Sequence, residues 1–281
     1  MKILVTGVGG PAGRHVSELL LQLGHTVFGA DMRPVEVPGL AAFYHAPAAL
    51  DPGYLAWLAE MAAPVDLVIP TVQEELPVVA AGATRIPRPV LISPSDAVAI
   101  AHDKYLTAVT LSAAHVPAPW FALPSALPSA NIVESYIGWP CLSKPRIGRG
   151  GRHVTVYDTP AAFTELAQLD NSYIVQEFAP GIEYNVNLFL APRAEGPVIV
   201  LEKLAVREGR TGNATEVRRV DAPPVARTAI AAARALGLTG PLDMDIRCRA
   251  DGTPLVLEIN ARFGANITHA PEVLAAAMTI Q

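Results

Sequence analysis

The sequence predicts an α/β protein, a doubly wound parallel sheet at the N-terminus followed by an α+β part of different grammar. Two observations carry this. As far as about residue 95, fully apolar strands alternate with helical segments, which requires a parallel sheet covered on both faces. Beyond it, a proline-rich connection leads into alternating strands joined as hairpins. With 281 residues, the chain can bury a core in each of two ordinary domains.

The first part has expected strands at 2–6, 26–30, 66–70 and 89–93. Between the first two, Pro11 to Leu23 has the helical spacing of Val16, Leu19, Leu20 and Leu23. The turn TGVGGPAG, Thr6 to Gly13, carries glycines at 7, 10 and 13, and Asp31 closes the second strand 18 residues after Gly13. The T-G-x-x-G-x-x-G spacing resembles that of extended short-chain dehydrogenases. Two readings stand: a phosphate-cradling turn with a ribose carboxylate, or the tight turn of a parallel sheet that binds no dinucleotide. In PTVQEELPVVA, Glu74 and Glu75 lie just past a strand's carboxyl end, where they face a substrate amine or stabilise a helix dipole.

After residue 95 come a short helix opened by Ser93 and Pro94, a helix from Asp103 to Ala114, and the connection VPAPWFALPSALP, which reads as a hinge. Then follow CLSKP, the glycine loop RIGRGG, HVTVYD, a helix near 160–168 and the strand SYIVQEF. Strands at 182–190 and 198–206, a charged loop REGRTGNATE, a strand at 215–220, a helix at 223–236 and strands at 242–249 and 254–260 complete the pattern.

Composition narrows the function. Hydrophobic residues make up 51% of the chain and aromatics 6%, the excess being mostly alanine, and no run is long enough for a membrane-spanning helix. The N-terminal apolar run is too short for a signal peptide. Cys141 and Cys248 lack metal-ligand spacing and read as buried free thiols in strands, which suits a cytoplasmic protein. A net charge of −5 without any basic cluster bearing aromatics argues against a nucleic-acid partner. Only four of the 21 basic residues are lysine, at 2, 104, 144 and 203. In so arginine-rich a background, lysine reads either as a remainder or as a compact ammonium chosen to meet a phosphate.

Two segments bear chemistry. CLSKPRIGRGGRHVTV puts Lys144 at a strand end and Gly148, Gly150 and Gly151 in a hairpin loop, a flap whose N–H groups can close over a triphosphate, or an ordinary glycine turn. PLDMDIRCRADGTPLVLEINARFG forms a hairpin in which Asp243 and Asp245 share one face of one strand, and Glu258 and Asn260 one face of the next. Carboxylates with an amide oxygen are the hard donors that magnesium prefers, with positions left for phosphate; an exposed polar face is the other reading.

Five elements in order, HDKYLTAVTLSAAHVPAP, PCLSKPRIGRGG, IVQEFAPGIEYNV, GPLDMDIRC and LEINARFG, resemble the ATP-grasp superfamily, and within it the carbamoyl-phosphate synthase large subunit and its small stand-alone relatives. The resemblance implies a pre-ATP-grasp domain at 1–98 and an ATP-grasp domain at 99–281, with a lid subdomain at about 118–178. It implies that Lys104 and Lys144 contact ATP phosphates beneath the loop of Gly148, Gly150 and Gly151. Gln176, Glu177 and Phe178 would lie against adenine and Glu183 would take the ribose hydroxyls. Asp245, Glu258 and Asn260 match positions for Mg2+, with Mn2+ as a substitute, although Asp245 stands where glutamine or glutamate is expected. Arg262 matches an arginine that steadies an acyl phosphate, and Lys203 with the 207–216 loop falls, more loosely, where the substrate is covered.

The expected activity is ATP-dependent carboxylate–amine ligation through an acyl phosphate, with Lys144 and Arg262 as catalytic residues and small-molecule substrates as partners. A kinase and a non-catalytic ATP-binding module are the alternatives within the fold. A dehydrogenase or epimerase would need a tyrosine followed four residues later by lysine, and no tyrosine has that partner. Because relatives often continue past the last motif, the acceptor pocket is expected to be open, completed by a partner subunit or formed in a homodimer.

Overall fold

The structure, a computed structural model, describes residues 1–191, 194–208 and 210–279. The first part contains β1 (Lys2–Thr6), α1 (Pro11–Gln22), β2 (Thr26–Asp31), β3 (Ala42–His45), α2 (Tyr54–Ala62), β4 (Leu67–Ile69) and α3 (Leu76–Ala81). Its sheet has the order β3-β2-β1-β4, all parallel. The expected strand at 89–93 is reduced to a single parallel bridge, Val68 to Val90. Prolines at 87, 89 and 94 lack the N–H donors that a longer ladder needs. In its place β3, short and only half buried, extends the opposite edge.

α4 (Ser95–His102) and α5 (Lys104–Ala113) follow. Asp103 caps the second, its carboxylate accepting from the N–H of Tyr105 at 2.9 Å. The connection expected to be a hinge holds β5 (Phe121–Ala122) and leads to α6 (Ala130–Tyr136), then β6 (Cys141–Pro145), β7 (Thr155–Tyr157), α7 (Phe163–Leu166) and β8 (Tyr173–Glu177). These strands form an antiparallel sheet, β5-β8-β6-β7.

β9 (Glu183–Ala191), β10 (Ala194–Glu208), β11 (Thr211–Val220), α8 (Pro223–Ala235), β12 (Gly240–Cys248), β13 (Pro254–Asn260) and α9 (Pro271–Thr279) complete the chain. The strands build a sheet in the order β11-β10-β9-β12-β13. The segment REGRTGNATE, expected as a loop, is mostly strand: Glu208 pairs with Thr211, and Gly209 lies outside the described residues. Gln281, on which the expectation about the chain's end fell, lies outside them too.

The large sheet positions the site because its two faces differ. Val186, Leu188, Leu242, Met244, Ile246 and Val256 pack one face onto α4, α5 and α8. Strand alternation puts Glu183, Asn185, Asn187, Asp243 and Asp245 on the other, and a register shift in β13 between Val256 and Glu258 brings Glu258 and Asn260 onto it too. On that second face Phe189, Ile199 and Leu201 join a core with α1, α9 and β1. The polar row is therefore bounded by apolar packing at one end and by the smaller antiparallel sheet at the other. Cys141 is buried, and burial pushes its thiol up to about 12. Cys248, expected to be buried, is only partly so.

Candidate active site

Cross-strand register assembles the site. Asp243 stands opposite Asn260 and Asn187, and Asp245 opposite Glu258 and Asn185, giving two parallel rows of oxygen-bearing side chains across β9, β12 and β13. Asp245 and Glu258 are half buried, whereas Asn185, Asn187, Asp243 and Asn260 are buried.

Three lysines converge on these rows from different elements. The ammonium of Lys203 lies 2.6 Å from Glu183 Oε1 and 2.8 Å from Asp245 Oδ1. Burial works against its charge, but the two carboxylates outweigh that and hold its pKa above the usual lysine value. Lys104, at the start of α5, donates to Gly148 O at 2.8 Å and lies 3.5 Å from Glu258 Oε1. Lys144, on β6, donates to Leu257 O at 2.8 Å across the gap between the two antiparallel sheets. Burial pulls its pKa down to about 8, against the pull of Glu258.

The glycine loop sits over this cluster. Gly150 and Gly151 have φ of 67° and 70°, the left-handed region that glycine enters without strain. Arg149 Nε lies 2.6 Å from Glu74 Oε1, so the loop is tied to the turn before α3. Glu74 thus pairs through one oxygen with Arg149, while its Oε2 is buried without a hydrogen-bond partner. Glu75 is fully buried, accepting from Thr6 Oγ1 at 2.5 Å, from Val72 N at 2.8 Å and from the Tyr54 hydroxyl. Burial raises its pKa, against those hydrogen bonds.

The residues expected around adenine lie where β8 ends. Gln176 is buried, and Glu177 is held by Arg249 through two bonds of 2.7 Å. Phe178 packs against two guanidinium groups, Arg210 at 4.4 Å and Arg247 at 4.6 Å from its ring centre. Glu183 bonds Lys203 and lies 3.4 Å from Arg247. Arg262 donates to Phe263 O at 2.6 Å and lies 3.7 Å from Asp243 Oδ2.

Whether the site suits a divalent cation can be judged from its donors. Among the described residues no cluster of three or more His, Cys, Asp or Glu side chains forms a metal cage. Asp245 and Glu258 each face a lysine, while Asn260 Oδ1 is buried with no hydrogen-bond partner. Two carboxylates and an orphaned amide oxygen on adjacent strands fit a hard cation that shares its coordination with phosphate oxygens.

TGVGGPAG is explained by packing. A Cβ on Gly13 would come 2.3 Å from Gly7 O, and Asp31 accepts from Gly9 N at 2.9 Å. The carboxylate is spent on its own turn.

Sequence reasoning missed Asn185 and Asn187, although N-x-N in EYNVNLFL has the same period-two signal as D-x-D and E-x-N. It missed Arg149 and Glu74 as partners because they lie 75 residues apart and no local pattern joins them.

A glycine hairpin beside lysines and a carboxylate row, carried between two antiparallel sheets, is the arrangement that the ATP-grasp resemblance implies. Residues 101–266 match the family described as ATP-grasp domain, and the chain belongs to that family. Over 202 residues it is 28% identical to a D-alanine–D-alanine ligase of Gloeobacter violaceus, covering 64% of this chain and 65% of that one. A second such ligase, of Cupriavidus taiwanensis, is 30% identical over 199 residues, covering 59% and 56%. The chain thus matches less than two thirds of the length of these relatives. The fold is similar to that of an L-amino acid ligase from Bacillus licheniformis, with a TM-score of 0.74 at 19% identity over 96% of this chain and 69% of that one. It is also similar to N5-carboxyaminoimidazole synthetase from Staphylococcus aureus complexed with ADP, with a TM-score of 0.73 at 14% identity over 96% and 73%. No described helix is long and apolar enough to cross a membrane.

Proposed function

We propose that the chain is an ATP-dependent carboxylate–amine ligase acting through an acyl phosphate. The observation that carries this is the convergence of Lys104, Lys144 and Lys203 on the row Asp245, Glu258 and Asn260, directly beneath the glycine loop. Family membership and the names of the relatives support the same reading. Two free cysteines and small-molecule chemistry suit a cytoplasmic compartment. The division into 1–98 and 99–281, with a lid at about 118–178, belongs to this proposal.

Lys144 exchanges Leu257 O for a phosphate oxygen, and Lys104 bridges the γ-phosphate and the loop it already binds through Gly148. Backbone N–H groups at Gly148, Gly150 and Gly151 close over the phosphates. Gln176, Glu177 and Phe178 border the adenine, the Glu177 side chain being committed to Arg249, and Glu183 meets the ribose. Asp245, Glu258 and Asn260 would hold magnesium, which supplies neutralisation of phosphate charge when bound. An oxygen of the substrate carboxylate forms a bond to the γ-phosphorus as the bond to the β-phosphate oxygen breaks, giving ADP and an acyl phosphate. Arg262 faces the developing charge. The amine then bonds to the acyl carbon, phosphate leaves with the C–O electron pair, and the nitrogen gives up a proton to leave an amide. Positioning and charge neutralisation suffice, with no covalent nucleophile.

A screen of carboxylates and amines in pairs, reading ADP and phosphate release, tests the proposal, with Glu258→Gln expected to be inactive. ATP binding with no turnover across the panel would mark a non-catalytic module. Transfer of phosphate to a hydroxyl would mark a kinase.

A further inference from the structure

Asp243 is not among the groups that the proposed chemistry needs, yet the site is built around it. Its buried carboxylate accepts from Asn185 Nδ2 at 2.7 Å through Oδ1 and from Asn260 Nδ2 at 3.2 Å through Oδ2. Arg262 Nη1 is 3.7 Å from Oδ2. Gly264 leaves it room, since a Cβ there would lie 2.2 Å from Oδ1.

Both carboxylate oxygens accept here, so each of the two amides turns its nitrogen inward. The consequence runs through the network. With its Nδ2 on Asp243 and, at 3.2 Å, on Asp245 Oδ1, Asn185 turns its own Oδ1 outward, where it accepts from Asn187 Nδ2 at 2.8 Å and from Asn266 Nδ2 at 3.1 Å. With its Nδ2 on the same carboxylate, Asn260 turns Oδ1 away, and that oxygen, like Oδ1 of Asn187, is left buried without a partner.

We propose that Asp243 is a positioning residue that fixes the Asn260 amide with its oxygen, and not its nitrogen, toward a divalent cation held by Asp245 and Glu258. This rests on the metal reading given under the proposed function. An asparagine at 243 could donate as well as accept, so the Asn260 amide would be free to flip and present N–H groups to the cation. Groups that orient a metal's own ligands typically change its affinity about 10- to 100-fold when altered.

The test is Mn2+ binding in the presence of ADP, followed by electron paramagnetic resonance, with ADP affinity in excess EDTA measured alongside. In Asp243→Asn the Mn2+ dissociation constant should rise about tenfold or more, and ADP affinity in EDTA should stay within about twofold of wild type. The double variant Asp243→Asn, Asn260→Asp should regain Mn2+ affinity, because a carboxylate at 260 offers oxygen at either end and needs no orienting; a merely structural role would not be rescued so. Unchanged Mn2+ binding in Asp243→Asn, while Glu258→Gln loses it, overturns the inference and leaves the metal reading standing. Unchanged binding in both variants overturns the metal reading and this inference with it. Loss of ADP affinity in EDTA, or no rescue by the double variant, also overturns the positioning role.

Discussion

Lys203 and Asp245 are 2.8 Å apart, and the same ammonium reaches Glu183 at 2.6 Å, so one lysine on β10 neutralises a carboxylate proposed for the metal and another proposed for the ribose. Its side chain is only 3% exposed. Breaking such a buried pair costs about 3–5 kcal/mol, because the remaining charges lose their partner without regaining water. Lys203→Met should therefore destabilise the protein by that order at neutral pH. The loss should shrink as pH falls and Glu183, whose pKa burial raises, takes up a proton, which melting temperatures at pH 5 and pH 8 would show.

Lys144 has its pKa lowered to about 8 by burial. In the free protein it loses its charge as pH rises through about 8, and a bound polyphosphate favours the charged form. ATP affinity should accordingly fall above pH 8, and binding near pH 8 should take up a proton. Calorimetry in two buffers of different ionisation enthalpy reads that uptake; Lys144→Met should abolish it.

Glu75 has a pKa raised above 4.5 by burial, so the folded protein keeps that proton to higher pH than the unfolded chain does. The stability tied to it is complete below pH 4.5 and declines as pH rises toward the folded value, by about 1.4 kcal/mol per pH unit while only the folded state holds the proton. Glu75→Gln should flatten this decline. If denaturant unfolding at pH 5, 6.5 and 8 gave parallel curves for variant and wild type, the buried acid would not be the source.

Gly13→Ala puts a Cβ 2.3 Å from the backbone oxygen of Gly7, an atom that cannot swing aside. Overpacking of this kind costs about 1–3 kcal/mol. The variant should melt lower while its ATP affinity stays near that of wild type; a selective loss of ATP binding would restore a nucleotide role to this turn.

The parallel sheet and the antiparallel hairpins, the one carrying the glycine loop among them, were legible, because each rests on a pattern within a few residues. Elements with weak local signals were not: β3 is short and half exposed, α6 and α9 are brief, and the apolar run at 89–93 has the composition of a strand but prolines that stop it pairing as one. The polar rows of the site were half legible. D-x-D and E-x-N fell on one face by strand alternation, and N-x-N followed the same rule unnoticed.

The sequence by itself determined which chemical groups the site owns: scarce lysines, paired acids, an amide and a flexible glycine loop in the order of the family. Only the tertiary structure decided how they are used. Register put Asn187, Asp243 and Asn260 in one row, and packing between the sheets set Lys144 over Leu257 O. The same packing brought Asn185 and Asn260 to donate to Asp243 from two neighbouring strands. Charge and donor type are properties of a residue, but which partner satisfies a buried group depends on what the fold brings within about 3 Å of it.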